Sequence, residues 1–361
     1  MDKLSLRPGL IWGSQLEDVF SYCKECLCAL PAVNVIGSSS INAALIAAKE
    51  AQAPIIIQFS NGGAHFNAGK LLPNEGQRAA IAGSIAGAYH IAHLAQEYGV
   101  PVILHTDHCA KKLLPWVDGL IKAGEDHYKA YGKPLYSSHM LDLSEEPLEE
   151  NITVCQRYLE RLHAIDMFLE MELGVTGGEE DGVDNTEVDS TRLYTQPKEV
   201  LQAYTALKEV GRFTVAAAFG NTHGVYKPGN VKLRPIILKN SQNEVYTNIH
   251  TDNPRPIHFV FHGGSGSEKE KISEAVSYGV VKFNIDTDTQ WAFTRPVREY
   301  MDAKHDFLMS QVGNPEGSDK PNKKYIDPRA WLVLAEKGMK NRLIEAYKDL
   351  NAYQKFIFRY E

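Results

Sequence analysis

Histidine and carboxylate side chains recur in short clusters along this sequence: His105-Thr-Asp107-His108, His139 with Asp142, Glu170-Met-Glu172, His223, His262 and Asp286-Thr-Asp288. Neutral imidazole suits zinc and other borderline divalent metals, and a catalytic site typically combines three protein ligands with one open position. His108, His223 and His262 form the preferred ligand set. Asp142 and Glu172 are read as additional ligands or as partners that orient the imidazoles. His105 and His139 stay open as alternatives, because spacing alone does not separate them. If its strand continues, His105 is expected to point away from Asp107. A second signal is rich in small residues. The run Gly263-Gly264-Ser265-Gly-Ser267 opens a helical stretch, and Asn284-Ile285-Asp286-Thr287 starts another. Backbone N–H groups of such loops can approach phosphate closely, aided by the positive end of the following helix. The basic run from Asn322 to Arg329 reads, on sequence alone, as a solvated loop.

These groups must be positioned by something, and the chain alternates to supply it. Short β-like runs occur at Ala32–Ile36, Ile55–Phe59, Val102–His105, Tyr136–Met140, Phe168–Glu172, Thr214–Ala217, Phe259–Phe261 and Val280–Asn284. Amphipathic helical stretches separate them, a pattern that predicts βα units and a parallel sheet. Eight strands, with no G-x-G-x-x-G after the first, favour a (β/α)8 TIM barrel over an open doubly wound sheet. In that fold the reactive groups sit where strands end, so three histidines and several carboxylates converge on one rim. The length beyond a bare barrel is assigned to an N-terminal helix, the loop Gly174–Gln196, the segment Thr222–Pro256 and extra C-terminal helices. No repeat or linker divides the 361 residues, so one domain is expected.

Composition narrows the function. A balance of 38 Lys+Arg against 45 Asp+Glu, net −7, lacks the basic excess of a nucleic-acid binder. No apolar run approaches the roughly 20 residues needed to span a bilayer, and Met1–Phe20 lacks the core of a signal peptide. The expectation is a cytoplasmic protein without membrane partners. Five cysteines make no disulfide framework. Ser14-Gln-Leu-Glu17 reads as a capping box, placing Cys23, Cys26 and Cys28 near a helix end, where packing explains them better than a metal knuckle.

Six segments together resemble the class II fructose-bisphosphate aldolases, in the longer subgroup: His105-Thr-Asp-His-Cys-Ala-Lys-Lys-Leu-Leu-Pro-Trp116, Ser137-Ser-His-Met-Leu-Asp-Leu-Ser144, Gly174-Val-Thr-Gly-Gly-Glu-Glu-Asp-Gly182, His223-Gly-Val-Tyr-Lys-Pro-Gly229, His262-Gly-Gly-Ser-Gly-Ser267 and Asn284-Ile-Asp-Thr-Asp288. The likeness runs from about Ala29 through Arg329; Thr222 departs from the family pattern without removing a site residue. The resemblance implies reversible cleavage of fructose 1,6-bisphosphate, a phosphorylated ketose, into the triose phosphates dihydroxyacetone phosphate and glyceraldehyde 3-phosphate. Tagatose 1,6-bisphosphate remains the alternative substrate, and a non-catalytic sugar-phosphate-binding barrel is less favoured because the reactive set is intact. It implies Zn2+ on His108, His223 and His262, with Asp142 and Glu172 at a second metal position, and a monovalent cation (K+ or Na+) near the glycine loops. Asp107 would exchange the C4 hydroxyl proton, and Glu180, on a Gly-flanked mobile loop, the carbon-bound proton. One phosphate would lie against Gly224, Gly263, Gly264, Ser265, Asn284, Ile285, Asp286 and Thr287, with Lys227 assisting. Ser60 and Arg329 would meet the other, Arg329 coming from the second subunit of a homodimer.

Overall fold

The computed structural model describes residues 2–176, 178–180, 183–185, 193–221 and 232–359, with the side chains of 178–180 and 183–185 excepted. Eight strands lie at Leu30–Asn34 (β1), Ile55–Phe59 (β2), Pro101–Thr106 (β3), Ser138–Leu141 (β4), Phe168–Leu173 (β5), Phe213–Ala217 (β6), Phe259–Phe261 (β7) and Val280–Asn284 (β8). Each pairs in parallel with its sequence neighbour, and β8 pairs with β1, closing a (β/α)8 barrel. Every residue of β2, β3, β4, β5, β7 and β8 is buried. Strands covered by side chains inside the barrel and by helices outside have no solvent face. That burial explains continuous apolar runs such as Ile55-Ile-Ile57.

The helices follow from amphipathic spacing. Leu148–His163 buries Ile152, Cys155, Leu159 and Leu162 on one stripe, with Glu149 and Glu150 in its first turn and Arg161 and His163 in its last. Those charges oppose the ends of the helix dipole. After β2, Arg78–Tyr98 packs against the short helix Asn61–Ala68, where a Cβ on Gly83 would run into the Ala64 carbonyl. That approach fixes the segment carrying Ser60. The chain ends are tied together as well, with Leu4–Leu6 paired in parallel to Phe356–Phe358. An antiparallel hairpin, Val312–Asn314 with Gly317–Pro321, was not foreseen.

Two expectations need correction. Thr222–Pro256 is not simply an insertion, because it contains the helix Ile236–Ile249 that precedes β7. Its buried face includes Ser241 and Gln242 beside Leu238 and Val245, which masks the apolar period. Gln242 is used structurally, donating to the Ile257 and Tyr278 carbonyls. Nor does Ser14-Gln-Leu-Glu17 form a capping box. The helix Gly13–Glu25 starts behind Trp12 with no side-chain cap, and Glu17 reaches His258 Nε2 at 2.6 Å. Cys23 and Cys28 are buried at its far end, consistent with packing.

The Glu17–His258 contact has a pH signature. Burial, opposed only in part by the Glu17 hydrogen bond, holds the His258 imidazole below its ordinary 6.5. Burial would raise Glu17, but its bond and charge interaction with His258, with Lys24 and Arg212, leave it below its ordinary 4.5. Both depressed values contribute stability that is present at neutral pH and lost on acidification. For His258 the loss starts as pH falls below 6.5. His258→Gln, which keeps an amide donor but cannot titrate, should therefore lose less Tm than wild type between about pH 7.5 and 5.5. An unchanged slope in scanning calorimetry would count against it.

Candidate active site

The C-terminal rim collects the groups singled out in the sequence. Asp107 and His108 follow β3, Asp142 follows β4, Glu172 lies in β5, His262 follows β7 and Asn284 ends β8. His108 Nε2 and His262 Nδ1 face each other at 2.9 Å. The nitrogens turned away are held by carboxylates: His108 Nδ1 lies 3.0 Å from Asp142 and 3.5 Å from Glu172, and His262 Nε2 lies 2.8 Å from Glu170. A carboxylate acceptor favours a proton on the nitrogen it meets, leaving lone pairs on the two facing nitrogens. Two lone pairs at that distance repel unless a cation is shared between them. Among the described residues, two three-residue groups have ligand atoms within 4.8 Å of one another: Asp107, His108 and His262, and His108, Asp142 and Glu172.

The electrostatics agree with cation binding. Burial, reinforced by the Asp142 charge, pushes Glu172 well above the usual carboxylate range. Its Oε2 is buried without a hydrogen-bond partner, while Oε1 accepts from Thr176 Oγ1 at 2.9 Å. Such a carboxylate lacks positive charge that a divalent ion would supply. For Asp107 and Asp142 burial acts upward but is outweighed. His108, Lys282 and His262 lower Asp107; His108 and Ser144 lower Asp142. Both Asp107 oxygens accept amide protons, from Asn34 at 3.0 Å and Asn284 at 3.1 Å. His108 occupies φ +28°, an unfavourable backbone region for a non-glycine residue that commonly costs about 1–3 kcal/mol.

Beneath this rim lies an ion pair with side chains at most 3% exposed. Lys282 Nζ donates to both Glu170 oxygens at 2.9 Å, and the same carboxylate holds His262. Lys282 Nζ is thus engaged inside the barrel rather than offered at the rim. His105 belongs to this layer, 2.7 Å from Ser138 Oγ and 3.5 Å from Glu170. Its expected orientation was wrong: residues two apart share a strand face, so His105 and Asp107 both turn inward. His139 turns the other way to Thr106 Oγ1 at 2.8 Å, and burial depresses its pKa to about 3. Neither is placed in the facing-nitrogen cluster.

Ser60 and Asp286 line a cavity of about 530 Å3 beside the rim, with Asn34, Gly63 and Lys70. Ser60 also caps the helix Asn61–Ala68, accepting from the Gly63 N–H at 3.1 Å. The glycine loop is tied to the end of β8: Gly264 donates to the Asn284 carbonyl, and Ser265 Oγ accepts from Asp288 N–H. A Cβ on Gly264 would collide with the Phe283 ring, so only glycine permits this approach. Gly263 lies at φ +60°. Ile285 is buried, its N–H bonded to the Ala32 carbonyl, and Thr287 begins the helix Thr287–Ala303. Arg329 does not line this cavity. Its side chain is 89% exposed and pairs with Asp327 at 2.6 Å. His223, Gly224 and Lys227 lie outside the described residues, as does the Glu180 side chain; the Glu180 backbone sits in a hairpin of Gly178–Glu180 with Val183–Asn185.

Sequence reasoning gave no role to Glu170, Asn34, Thr176 or Asn221. Asn34 could have been found by extending the strand-end rule to the first strand. Asn221, which donates to Thr176 Oγ1 and to the His262 carbonyl, carried no such signal.

Fold and site define a closed parallel barrel with a metal-competent histidine–carboxylate cluster beside a cavity. The chain belongs to the class II fructose-bisphosphate aldolase family: the family profile described as "Fructose-bisphosphate aldolase class-II" matches residues 14–355. It is 60% identical over 347 residues to the fructose-bisphosphate aldolase of Edwardsiella ictaluri, covering 96% of this chain and 97% of that one. It is 57% identical over 349 residues to the fructose-bisphosphate aldolase class 2 of Escherichia coli, covering 96% and 97%. The crystal structure of the Campylobacter jejuni fructose-bisphosphate aldolase superposes with a TM-score of 0.88 at 55% identity, covering 97% of this chain and 98% of that one. The family is a family of lyases, and its members are generally metal-dependent.

Breaking the Glu170–Lys282 pair on one side strands a buried charge. Glu170→Gln or Lys282→Met should each cost about 3–5 kcal/mol in urea unfolding. The double variant should lose clearly less than the sum of the two, because both charges leave together. Additive losses would show the pair to be uncoupled.

Proposed function

We propose that this chain catalyses the reversible aldol cleavage of fructose 1,6-bisphosphate to dihydroxyacetone phosphate and glyceraldehyde 3-phosphate, as a zinc-dependent enzyme. The observation that carries the reading is the facing pair His108 Nε2 and His262 Nδ1, with the Asp107 carboxylate within 4.8 Å of their ligand atoms. The names of the relatives favour fructose over tagatose bisphosphate. His108, His262 and His223 would hold the zinc, with Asp142 and Glu172 available to a second ion. When bound, the ion supplies Lewis-acid stabilisation of the negative charge that develops on the ketone-derived fragment.

The chain's own groups carry the proton traffic. Asp107 takes the C4 hydroxyl proton during cleavage and returns it during condensation, held ready by the amides of Asn34 and Asn284. Glu180 exchanges the carbon-bound proton of dihydroxyacetone phosphate from the glycine-flanked segment after β5. The loops after β7 and β8, with Gly224 and Lys227, receive one phosphate. Ser60, and Arg329 from the second subunit of a homodimer, receive the other; the guanidinium fork suits phosphate oxygens. A monovalent cation beside the glycine loops completes the reading. Among the described residues no helix is long and apolar enough to cross a membrane, and a cytoplasmic site of action is part of the same proposal.

Chelation should abolish cleavage of fructose 1,6-bisphosphate, and zinc should restore it. Borohydride with substrate should leave activity intact. His108→Ala, His223→Ala and His262→Ala should lower zinc content and turnover together by more than about ten-fold. Stoichiometric zinc with normal turnover in all three would remove the ligand assignment.

Glu180→Gln keeps size and polarity but cannot accept a proton. It should retain zinc and substrate binding while losing exchange of the dihydroxyacetone phosphate proton into solvent by at least about 100-fold. Asp107→Asn should lose cleavage yet keep that exchange measurable by NMR. Wild-type exchange in Glu180→Gln would place the base elsewhere, with Glu179 next to test.

A further inference from the structure

The first turn of the helix Thr287–Ala303 carries a carboxylate close to where the proposed function puts a phosphate. Asp288 follows Thr287, and its N–H donates to Ser265 Oγ of the glycine loop at 3.3 Å. Ser265 accepts in that bond, which leaves its hydroxyl proton for an incoming anion. The Asp288 side chain works the other way. A carboxylate in the first turn offsets part of the positive end of the helix and repels a second anion. Asp286, just ahead of the helix, adds another carboxylate, which accepts from the neutral amide of Gln290 at 2.7 Å.

Asp288 is met by a cation instead. Arg342, on the long helix Pro328–Asp349, donates from Nη2 to Asp288 Oδ2 at 2.7 Å. Helix packing sets up this contact. A Cβ on Gly338 would run into the Ala292 carbonyl, so the two helices approach closely there. Four residues on from Gly338 and four back from Ala292, Arg342 and Asp288 face each other. Their side chains are 24% and 27% exposed, so solvent screens the pair only in part. The bridge is not the strongest these groups can form. A guanidinium holds a carboxylate most firmly with two parallel bonds. Among the described residues, Arg342 meets Asp288 through Nη2 alone, and its Nη1 is buried with no hydrogen-bond partner. Lys269, whose charge reaches Arg342, is itself paired with Asp349 at 2.7 Å and does not replace it.

We propose that Arg342 is a positioning residue for phosphate binding. It draws the Asp288 carboxylate towards the helix Pro328–Asp349 and cancels its charge, so that the glycine loop and Thr287 offer donors, unopposed, to the anion. That role rests on the phosphate site proposed above. The glycine loop begins at the residue after His262, beside the ion that would stabilise the ketone-derived fragment. The phosphate received there is therefore that of dihydroxyacetone phosphate.

Calorimetric titration of the zinc-loaded enzyme with dihydroxyacetone phosphate separates this role from that of a bridge that only holds the fold. Arg342→Met uncovers the Asp288 charge and should weaken binding about ten-fold. Asp288→Asn breaks the same bridge from the other side, yet should bind as tightly as wild type or more tightly. The double variant should return to within about two-fold of wild type, because the repelling charge has gone. Arg342→Lys, which keeps the charge, should stay within about three-fold. Equal weakening in the two single variants, or a double variant as weak as Arg342→Met, would overturn the assignment and leave a structural bridge. Wild-type affinity in Arg342→Met would overturn it as well, with the phosphate site intact. Wild-type enzyme that does not bind dihydroxyacetone phosphate would remove the phosphate site itself, and the role of Arg342 with it.

Discussion

The buried Glu170–Lys282 pair is the contact on which the site depends. It joins β5 to β8 inside the barrel, and through Glu170 Oε1 it reaches the ring of His262 at the end of β7. A carboxylate in that position would be costly if left alone; the ammonium and imidazole groups that surround it make it tolerable and hold it ionised. Once Glu170 is fixed, the proton on His262 Nε2 follows, and with it the lone pair that faces His108. The orientation of the rim is thereby decided one layer below it.

His108 is controlled from the other side by the same device. Asp142 and Glu172 meet its Nδ1, so both imidazoles are clamped by carboxylates on the nitrogen that does not face the centre. The two clamps come from β4 and β5, while the facing nitrogens come from the loops after β3 and β7. A cluster assembled from four strand ends cannot drift far, because moving any member requires sliding a strand in a closed, buried barrel. The positive φ of His108 fits this picture: a strained backbone persists where surrounding packing over-determines it.

The outer parts of the site are built on different terms. Asp286 and Ser60 open onto a cavity, and Gly264 allows the loop after β7 to press against Phe283, whereas Arg329 stands apart from that cavity, in solvent and paired with Asp327. Binding groups for a large charged substrate have to be reachable, whereas the histidine cluster needs exclusion of water to make its charges count. The division of labour between a dry inner layer and an open outer one is characteristic of ligand sites at strand ends of parallel barrels.

Much of this was legible in the chain. Alternating apolar strands and amphipathic helices specify the barrel, since each element's period states which faces must be covered. The strand-end rule then brings Asp107, His108, Asp142, Glu172, His262 and Asn284 to one rim without knowledge of any contact. Sequence alone could not rank His105 or His139 against His108, because strand ends only a residue or two apart differ in which way the side chain turns. That choice belongs to the packed barrel, where His139 is claimed by Thr106 and His105 by Ser138. Nor could it find the helix Ile236–Ile249, whose buried glutamine and serine break the apolar pattern because they serve partners distant in the chain. Local periodicity reports burial. Which polar atom meets which, as with Glu170, Lys282 and His262, is settled only when strands more than a hundred residues apart are brought side by side.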